Sequence, residues 1–327
     1  MNKKFWENKR VIVTGANGFI GSNLVLELVN KKSKVFALIK DVEIKNPIFE
    51  LVKKNISKVI IGNINDYELI SKIFLKNNID FCFHLASIAS SKDSQSIIKK
   101  NPPEEFKTNI MGSINLLEAS RLSKNFKGFI LASTIQVYKN NENLPFKEDY
   151  PLQATLPYES SKICAEILTK TYSYAHGLPV AIARFTNTYG QGDLNFSRLV
   201  PSVMKNVMNN KNPIINNANA IRDFLYIKDA ISAYITLAEN INKKDVNGEI
   251  FNFGSNSKIK VGEVAKRIIQ LNKNKNLKAN YLKNNKIEKR YPSIKKAQKI
   301  IKWNPKYSIE EGLRETYSWY KNFILNG

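Results

Sequence analysis

The residues best able to do chemistry in this chain form small groups. Tyr158 and Lys162 stand four positions apart in a helix-like run, so both side chains lie on one face about one turn apart. A phenol with an ordinary pKa near ~10 is a poor base at neutral pH, and a neighbouring ammonium favours its phenolate. Such a pair can take a hydroxyl proton while hydride leaves the same carbon. The second group is Gly15-Ala16-Asn17-Gly18-Phe19-Ile20-Gly21, between a strand-like and a helix-like run. Glycines at that place allow a tight turn, close approach of a pyrophosphate to the backbone and close packing of helix on sheet, while the helix N-terminus attracts the anion. Gly15, Asn17, Gly18, Phe19, Ile20 and Gly21 are therefore expected to bind a dinucleotide. No Gly-x-x-x-x-Gly-Lys-Ser/Thr occurs, which argues against a P-loop nucleotidase. The third piece is Thr134, at the end of the run Leu131-Ala132-Ser133-Thr134. Ligands of open α/β sheets sit at the carboxyl ends of strands, so its hydroxyl is expected to face the same crevice as the glycine turn. There it would bond the reacting hydroxyl or Tyr158; the plainer alternative is a cap on the following turn.

The elements that must position these groups follow from periodicity. Val11 to Thr14, Val35 to Leu38, Val59 to Ile61, Phe81 to Leu85, Phe129 to Ala132 and Val180 to Phe185 read as buried strands. Phe19 to Val29, Tyr67 to Lys76, Phe106 to Leu122 and Tyr158 to Tyr174 have helix length and spacing. This βαβα order predicts an α/β fold with a doubly wound parallel sheet, because parallel strands need crossovers that cover both faces. After Gly190 the pattern changes. Short strands (Pro213 to Ile215, Phe224 to Tyr226, Glu249 to Phe253) mix with helices (Leu199 to Met208, Ile227 to Asn240, Val261 to Leu271, Ile309 to Phe323). The expectation is a nucleotide-binding domain over 1–188, with returning segments near 224–253, and a smaller mixed α/β substrate lobe over 189–327. The Asn-rich stretches Asn209 to Asn219 and Asn272 to Lys286 read as loops.

Composition excludes several classes. The longest apolar run, Phe81 to Ile88, is far short of the ~20 residues a membrane span needs, so no membrane association is expected. The basic segment Met1 to Arg10 precedes only Val11, Ile12 and Val13, too few for a secretory h-region, which points to the cytoplasm. Cys82 and Cys164 read as free thiols, and with only His84 and His176 beside them no metal site is expected. The net charge is +23, and Lys258 to Lys306 carries sixteen Lys and Arg against Glu263 and Glu288. These are mostly lysines without the interleaved aromatics of single-strand binders, so the run reads as a solvated surface and no nucleic-acid partner is expected.

Together these residues resemble the extended short-chain dehydrogenase/reductase family, in the group of nucleotide-sugar epimerases and 4,6-dehydratases. The resemblance covers essentially the whole chain. It adds Phe83-His84-Leu85-Ala86, Thr108-Asn109, Arg184-Phe185-Thr186-Asn187-Thr188-Tyr189-Gly190, Arg198-Leu199-Val200-Pro201, Arg222-Asp223-Phe224-Leu225-Tyr226-Ile227 and Trp303-Asn304-Pro305. It implies a Rossmann-type sheet, Thr134, Tyr158 and Lys162 as catalytic residues, with Tyr158 and Lys162 also touching the cofactor, and a nucleotide-diphosphate sugar as partner. It further implies Asn187 and Arg222 on the diphosphate, Leu199 and Val200 beside the base, and Leu85, Ala86 and Ser87 along the nicotinamide. Asn63 and Ile64 stand where the family has Asp-Ile against the adenine. Arginine's planar fork suits phosphate oxygens, the plain alternative for Arg222 being a salt bridge to Asp223 or Asp229. The stretch Gly192 to Pro201 looks closest to CDP-glucose 4,6-dehydratase. The helices 106–122 and 158–174 resemble the pair that joins family members into homodimers through a four-helix bundle.

Two departures from the pattern steer the reading. In the family's 4,6-dehydratases the two positions after the catalytic Ser/Thr commonly carry ionisable groups that handle the C5 proton and the departing C6 hydroxyl; here they are Ile135 and Gln136. Neither can replace a carboxylate in proton transfer. The resulting expectation is an NAD(P)-dependent nucleotide-sugar epimerase acting by oxidation at C4. A 4,6-dehydratase, a 4-keto-sugar reductase and a non-catalytic binding protein are the alternatives. The second departure is at the end of the second strand, where Ile39 takes the usual acidic place and Lys40 could meet a 2′-phosphate, a slight lean toward NADP over NAD.

Overall fold

Valine, isoleucine and phenylalanine fill the strands of this chain so densely that both faces of each must be covered. The computed structural model describes residues 4–43, 46–88, 102–139, 142–274, 276–282 and 288–325. Six strands, β1 (Arg10–Thr14), β2 (Lys34–Ile39), β3 (Lys58–Ile61), β4 (Phe81–His84), β5 (Gly128–Thr134) and β6 (Val180–Phe185), build a parallel sheet with Glu249–Phe253 as its seventh member. The order is Glu249–Phe253, β6, β5, β4, β1, β2, β3. The pleat divides the side chains. Val11, Val13, Phe81, Phe83 and Ile130 pack with Leu24, Val25 and Leu28 of the helix Phe19–Asn30 and with Ala230 and Tyr234 of the helix Ile227–Glu239. Ile12, Cys82, Phe129 and Leu131 face the other way, onto Ile70 and Phe74 of Tyr67–Asn77, Leu116 and Leu117 of Gly112–Leu122, and Ala165 of Pro157–His176. This is the Rossmann-type doubly wound α/β fold that the alternating pattern predicts.

The strand order reverses beside β1, which pairs β2 through Thr14↔Leu38 and β4 through Thr14↔His84. That reversal opens a crevice at the carboxyl ends of β1 and β4. The remaining chain forms short ladders above those ends. Phe224–Tyr226 runs parallel to Asn187–Tyr189, and Ile221–Arg222 lies between Ile259–Lys260 and Lys289–Arg290. The helices Leu199–Met208, Val261–Gln270 and Ile309–Leu325 pack on one another over them. No described helix is long and apolar enough to cross a membrane.

Three differences from the sequence reading have physical causes. The helix expected from Phe106 starts at Pro102 and contains a π turn, Lys107–Met111. The helices Pro47–Val52 and Lys295–Ile301 are only six and seven residues long, too short for a periodic signature. Within Asn272 to Lys286, read as a loop, Asn280–Tyr281 pairs in parallel with Ile214–Ile215, part of the short strand expected over Pro213 to Ile215.

The segment before β1 is anchored by Trp6. Its indole is fully buried, 5.1 Å from the Phe81 ring centre, and its Nε1 donates to Glu239 Oε1 at 2.8 Å. Trp6→Ala leaves a large void under the sheet and unpairs Glu239, so the expected loss is about 3–5 kcal/mol in urea denaturation. A loss below about 1 kcal/mol would show that the segment is not part of the core.

Candidate active site

The glycine turn is as compact as its sequence demands. Gly15 has φ +65°, and a Cβ there would lie 3.0 Å from the backbone of Ala86; a Cβ on Gly21 would lie 2.1 Å from Gly15 O. Both positions therefore require glycine for conformation or for space. Gly18 is the N-cap of Phe19–Asn30, and no side chain caps that helix. Its first-turn N–H groups and dipole face the crevice, which fits a pyrophosphate. Asn17 is buried and its Nδ2 donates to Asp41 O at 2.8 Å, fixing the turn to the end of β2. Across β1, Thr14 Oγ1 accepts the N–H groups of Leu85 and Ala86 at 3.1 and 3.0 Å, and Ser87 follows exposed. Asn63 and Ile64 follow β3, with Ile64 buried against Gly112 and its carbonyl bonded by Asn115 Nδ2.

Pro157 at the first helical position and Glu159 start the helix that carries Tyr158 and Lys162. The Glu159 carboxylate, fully buried, accepts from Thr155 N and Leu156 N and pairs with Lys139 at 3.1 Å. Lys162 is 4% exposed, and its Nζ donates to Ala132 O on β5 at 3.0 Å while lying 5.9 Å from the centre of the Tyr158 ring. Burial brings its ammonium down to about 8, with Glu166 opposing. The expected lowering of the phenol by Lys162 is not found. Burial dominates and pushes Tyr158 up to about 12, and the cation that draws it down is Arg198. The reason is geometric: the ammonium spends its bond on Ala132 rather than on the phenol oxygen.

Beneath this pair lies a charged core. Glu166, one turn beyond Lys162, accepts Arg184 Nη2 at 2.5 Å and Nε at 2.9 Å, and Ser133 Oγ at 2.5 Å. Arg184 also donates to Tyr138 Oη. Both partners are 1% exposed.

A cleft of about 400 Å³ opens over these elements, and Thr134, Tyr158, Asn187, Leu199, Val200 and Arg222 all line it, as does Ile20 of the glycine turn. Thr134 Oγ1 accepts Gln136 N at 3.2 Å, so it caps the turn and faces the cleft at once. Ile135 packs with Val137, Tyr138 and Phe146, and Gln136 adds an amide to the wall. Asn187 is exposed, with Nδ2 donating to Asp223 O at 3.3 Å. Arg222 pairs with neither Asp223 nor Asp229. Its Nη2 meets Glu288 Oε2 at 2.7 Å, and Arg290 Nη2 meets the same oxygen at 3.4 Å, so a second guanidinium converges on the carboxylate that holds Arg222.

Sequence reasoning missed Asp193 and Arg198 in the cleft wall, and Arg290 as a neighbour of Arg222 through Glu288. Asp193 is buried in the cleft wall and bonded to Arg198 Nη1 at 3.3 Å. Both belong to the Gly192 to Pro201 stretch, which carried that signal; Arg290 was hidden in the lysine-rich run. Lys40 lies apart from the cleft lining, more than half exposed and 3.5 Å from Glu104.

Removing one partner of the buried pair isolates the other. Glu166→Ala leaves Arg184 uncompensated in the core, and the expected loss is about 3–5 kcal/mol in chemical denaturation. Replacing both residues with apolar ones of similar volume should recover most of it; a single variant within about 1 kcal/mol of the parent would contradict the reading.

The profile of the family described as GDP-mannose 4,6 dehydratase matches residues 12–316. CDP-glucose 4,6-dehydratase of Salmonella typhimurium is 28% identical, over 99% of this chain and 94% of that protein. UDP-glucuronate 4-epimerase of Thermodesulfobacterium geofontis is 31% identical, over 96% of both. Among solved structures, UDP-glucuronic acid 4-epimerase from Bacillus cereus, in complex with UDP-glucuronic acid and NAD, superposes with a TM-score of 0.82 at 26% identity, over 96% of this chain and 99% of that one. Sequence, fold and similarity along nearly the full length agree: the chain belongs to the extended short-chain dehydrogenase/reductase family of enzymes, in its nucleotide-sugar epimerase/dehydratase group.

Proposed function

We propose that this enzyme is a nucleotide-sugar 4-epimerase. The observation that carries the reading is the wall beyond Thr134. Ile135 is 5% exposed and committed to an apolar cluster, and Gln136 offers only an amide, so neither position transfers a proton. Elimination of the C6 hydroxyl needs a base at C5 and an acid at C6; oxidation and return at C4 need neither.

A nicotinamide dinucleotide, held by the glycine turn and by Lys162, supplies hydride acceptance and return. Tyr158 handles the proton of the C4 hydroxyl. With the phenol up at about 12 it holds its proton at neutral pH, the form that protonates the C4 oxygen on return. The outward step uses the phenolate, favoured by the cation of Arg198. Thr134 orients the hydroxyl from β5. Asn187, Arg222 and Arg290 hold the diphosphate, and Leu199 and Val200 flank the base, so the sugar alone turns between the two half-reactions.

The cofactor we infer is NAD rather than NADP. Lys40 is already paired with Glu104, a carboxylate that would repel a 2′-phosphate, and the similar Bacillus cereus epimerase holds NAD. Met111, Leu122, Ile167 and Tyr174 are exposed apolar residues on the two helical segments flanking β5, and they support a homodimer joined through those helices. The competing dehydratase reading rests on Asp193, the one carboxylate among the described residues lining the cleft, and on likeness to the Salmonella enzyme.

Two measurements decide. Tyr158→Phe is expected to lower turnover by ~10²–10⁴-fold while dinucleotide and nucleotide affinity stay within a few-fold. Activity above about a tenth of the parent would remove Tyr158 from proton transfer. With CDP-, UDP-, GDP- and dTDP-hexoses in deuterated water, the expected product has unchanged mass, an inverted C4 and no deuterium at C5. Label at C5 or loss of 18 mass units would return the enzyme to the dehydratases.

A further inference from the structure

The glycine turn and the Tyr158 helix stand on different elements, and a line of buried side chains joins them. Thr14 and His84 end β1 and β4 side by side, with Thr14 Oγ1 2.9 Å from His84 Nδ1. His84 Nε2 lies 3.0 Å from Ser113 Oγ, and Ser113 donates to Asn109 O at 2.6 Å. Asn109 sits in the π turn and donates from Nδ2 to Ser161 Oγ at 2.9 Å; Ser161 donates to Tyr158 O at 2.8 Å. None of the five linking side chains is more than 2% exposed.

The proton positions follow by elimination. Thr14 Oγ1 already accepts Leu85 N and Ala86 N, so its own proton is what it has left to offer, and His84 Nδ1 must accept it. The ring proton is then on Nε2 and goes to Ser113 Oγ, whose hydroxyl proton is committed to Asn109 O. Burial and the nearby charge of Lys162 keep the imidazole neutral, its pKa down to about 3.

We propose that His84 is a positioning residue that, as the neutral Nε2–H tautomer, sets the spacing between the glycine turn and the first turn of the Tyr158 helix. The inference rests on the reading that a nicotinamide dinucleotide spans those two anchors. ADP would engage only the turn, whereas NAD would also reach Tyr158 and Lys162. Spacing errors of about 1 Å cost ~10²-fold where two groups must act together.

The test compares affinities for the two nucleotides by calorimetry. His84→Phe, which keeps an aromatic ring and loses both bonds, should weaken NAD binding tenfold or more with ADP within twofold. His84→Gln, which keeps one acceptor and one donor, should recover most of the loss. Should His84→Phe fail to fold, Ser113→Ala breaks the line one step later and should show the same split. Nitrogen-15 NMR of the His84 ring at neutral pH should report the Nε2–H tautomer. Equal weakening of both nucleotides, no weakening of either, or the Nδ1–H tautomer would overturn the proposal. If the parent chain binds ADP but gains nothing from the nicotinamide half, the dinucleotide reading itself fails and takes this inference with it. If NAD binds and turnover is not epimerisation, only the reaction assignment fails.

Discussion

A guanidinium and a carboxylate, both essentially removed from water, hold the cleft end of this fold together. Placing Arg184 and Glu166 in the core costs several kcal/mol of desolvation per ion, and only a bidentate geometry with further bonds offsets it. Those further bonds tie three elements. Arg184 comes from β6, Glu166 from the helix of Tyr158 and Lys162, and Ser133 from the residue before Thr134. The pair admits few arrangements, so the helix can hardly slide or turn on the sheet. Thr134 and Tyr158 face one cleft because a charge pair behind them fixes where the helix lies. This is weak evidence for stability and stronger evidence for geometry.

The sheet supplies the other constraint. A parallel order that reverses beside β1 leaves a crevice whether or not anything binds there, and the crevice can accept a pyrophosphate because Gly15 and Gly21 let the backbone close on itself. The two sides differ in kind. On the turn side the cleft offers backbone N–H groups and a helix dipole; on the other, Arg198 and Arg222 line it with full positive charges, and Arg290 meets Arg222 at Glu288. Glu288 keeps Arg222 and Arg290 beside each other although both are cations.

Much of this was legible in the chain. Val11 to Thr14, Phe81 to Leu85 and Val180 to Phe185 announce buried strands because both faces are apolar, and Tyr158 and Lys162 announce their shared face by a spacing of four. What could not be read depends on contacts distant in sequence. The partner of Arg222 is 66 residues away in a run whose lysines mask it, whereas the nearer Asp223 turns inward to Ser255. The π turn adds a residue to a helical register without altering composition, so Asn109 reaches Ser161 at a place periodicity does not mark. The ionisation of Tyr158 was misjudged for the same reason: spacing gives the proximity of the ammonium but not which oxygen it bonds.

The segment Gly190 to Asp193 has a mechanical consequence. Asn23 bonds Gln191 O and Asn46 bonds Gly192 O from the side of the parallel sheet, while Tyr320 of the last helix bonds Asp193 O from the other. The first and last helices of the chain thus grip one short strap. Separating the elements on either side would break all three bonds, two of them buried, so the strap couples their unfolding and is a poor place for a hinge.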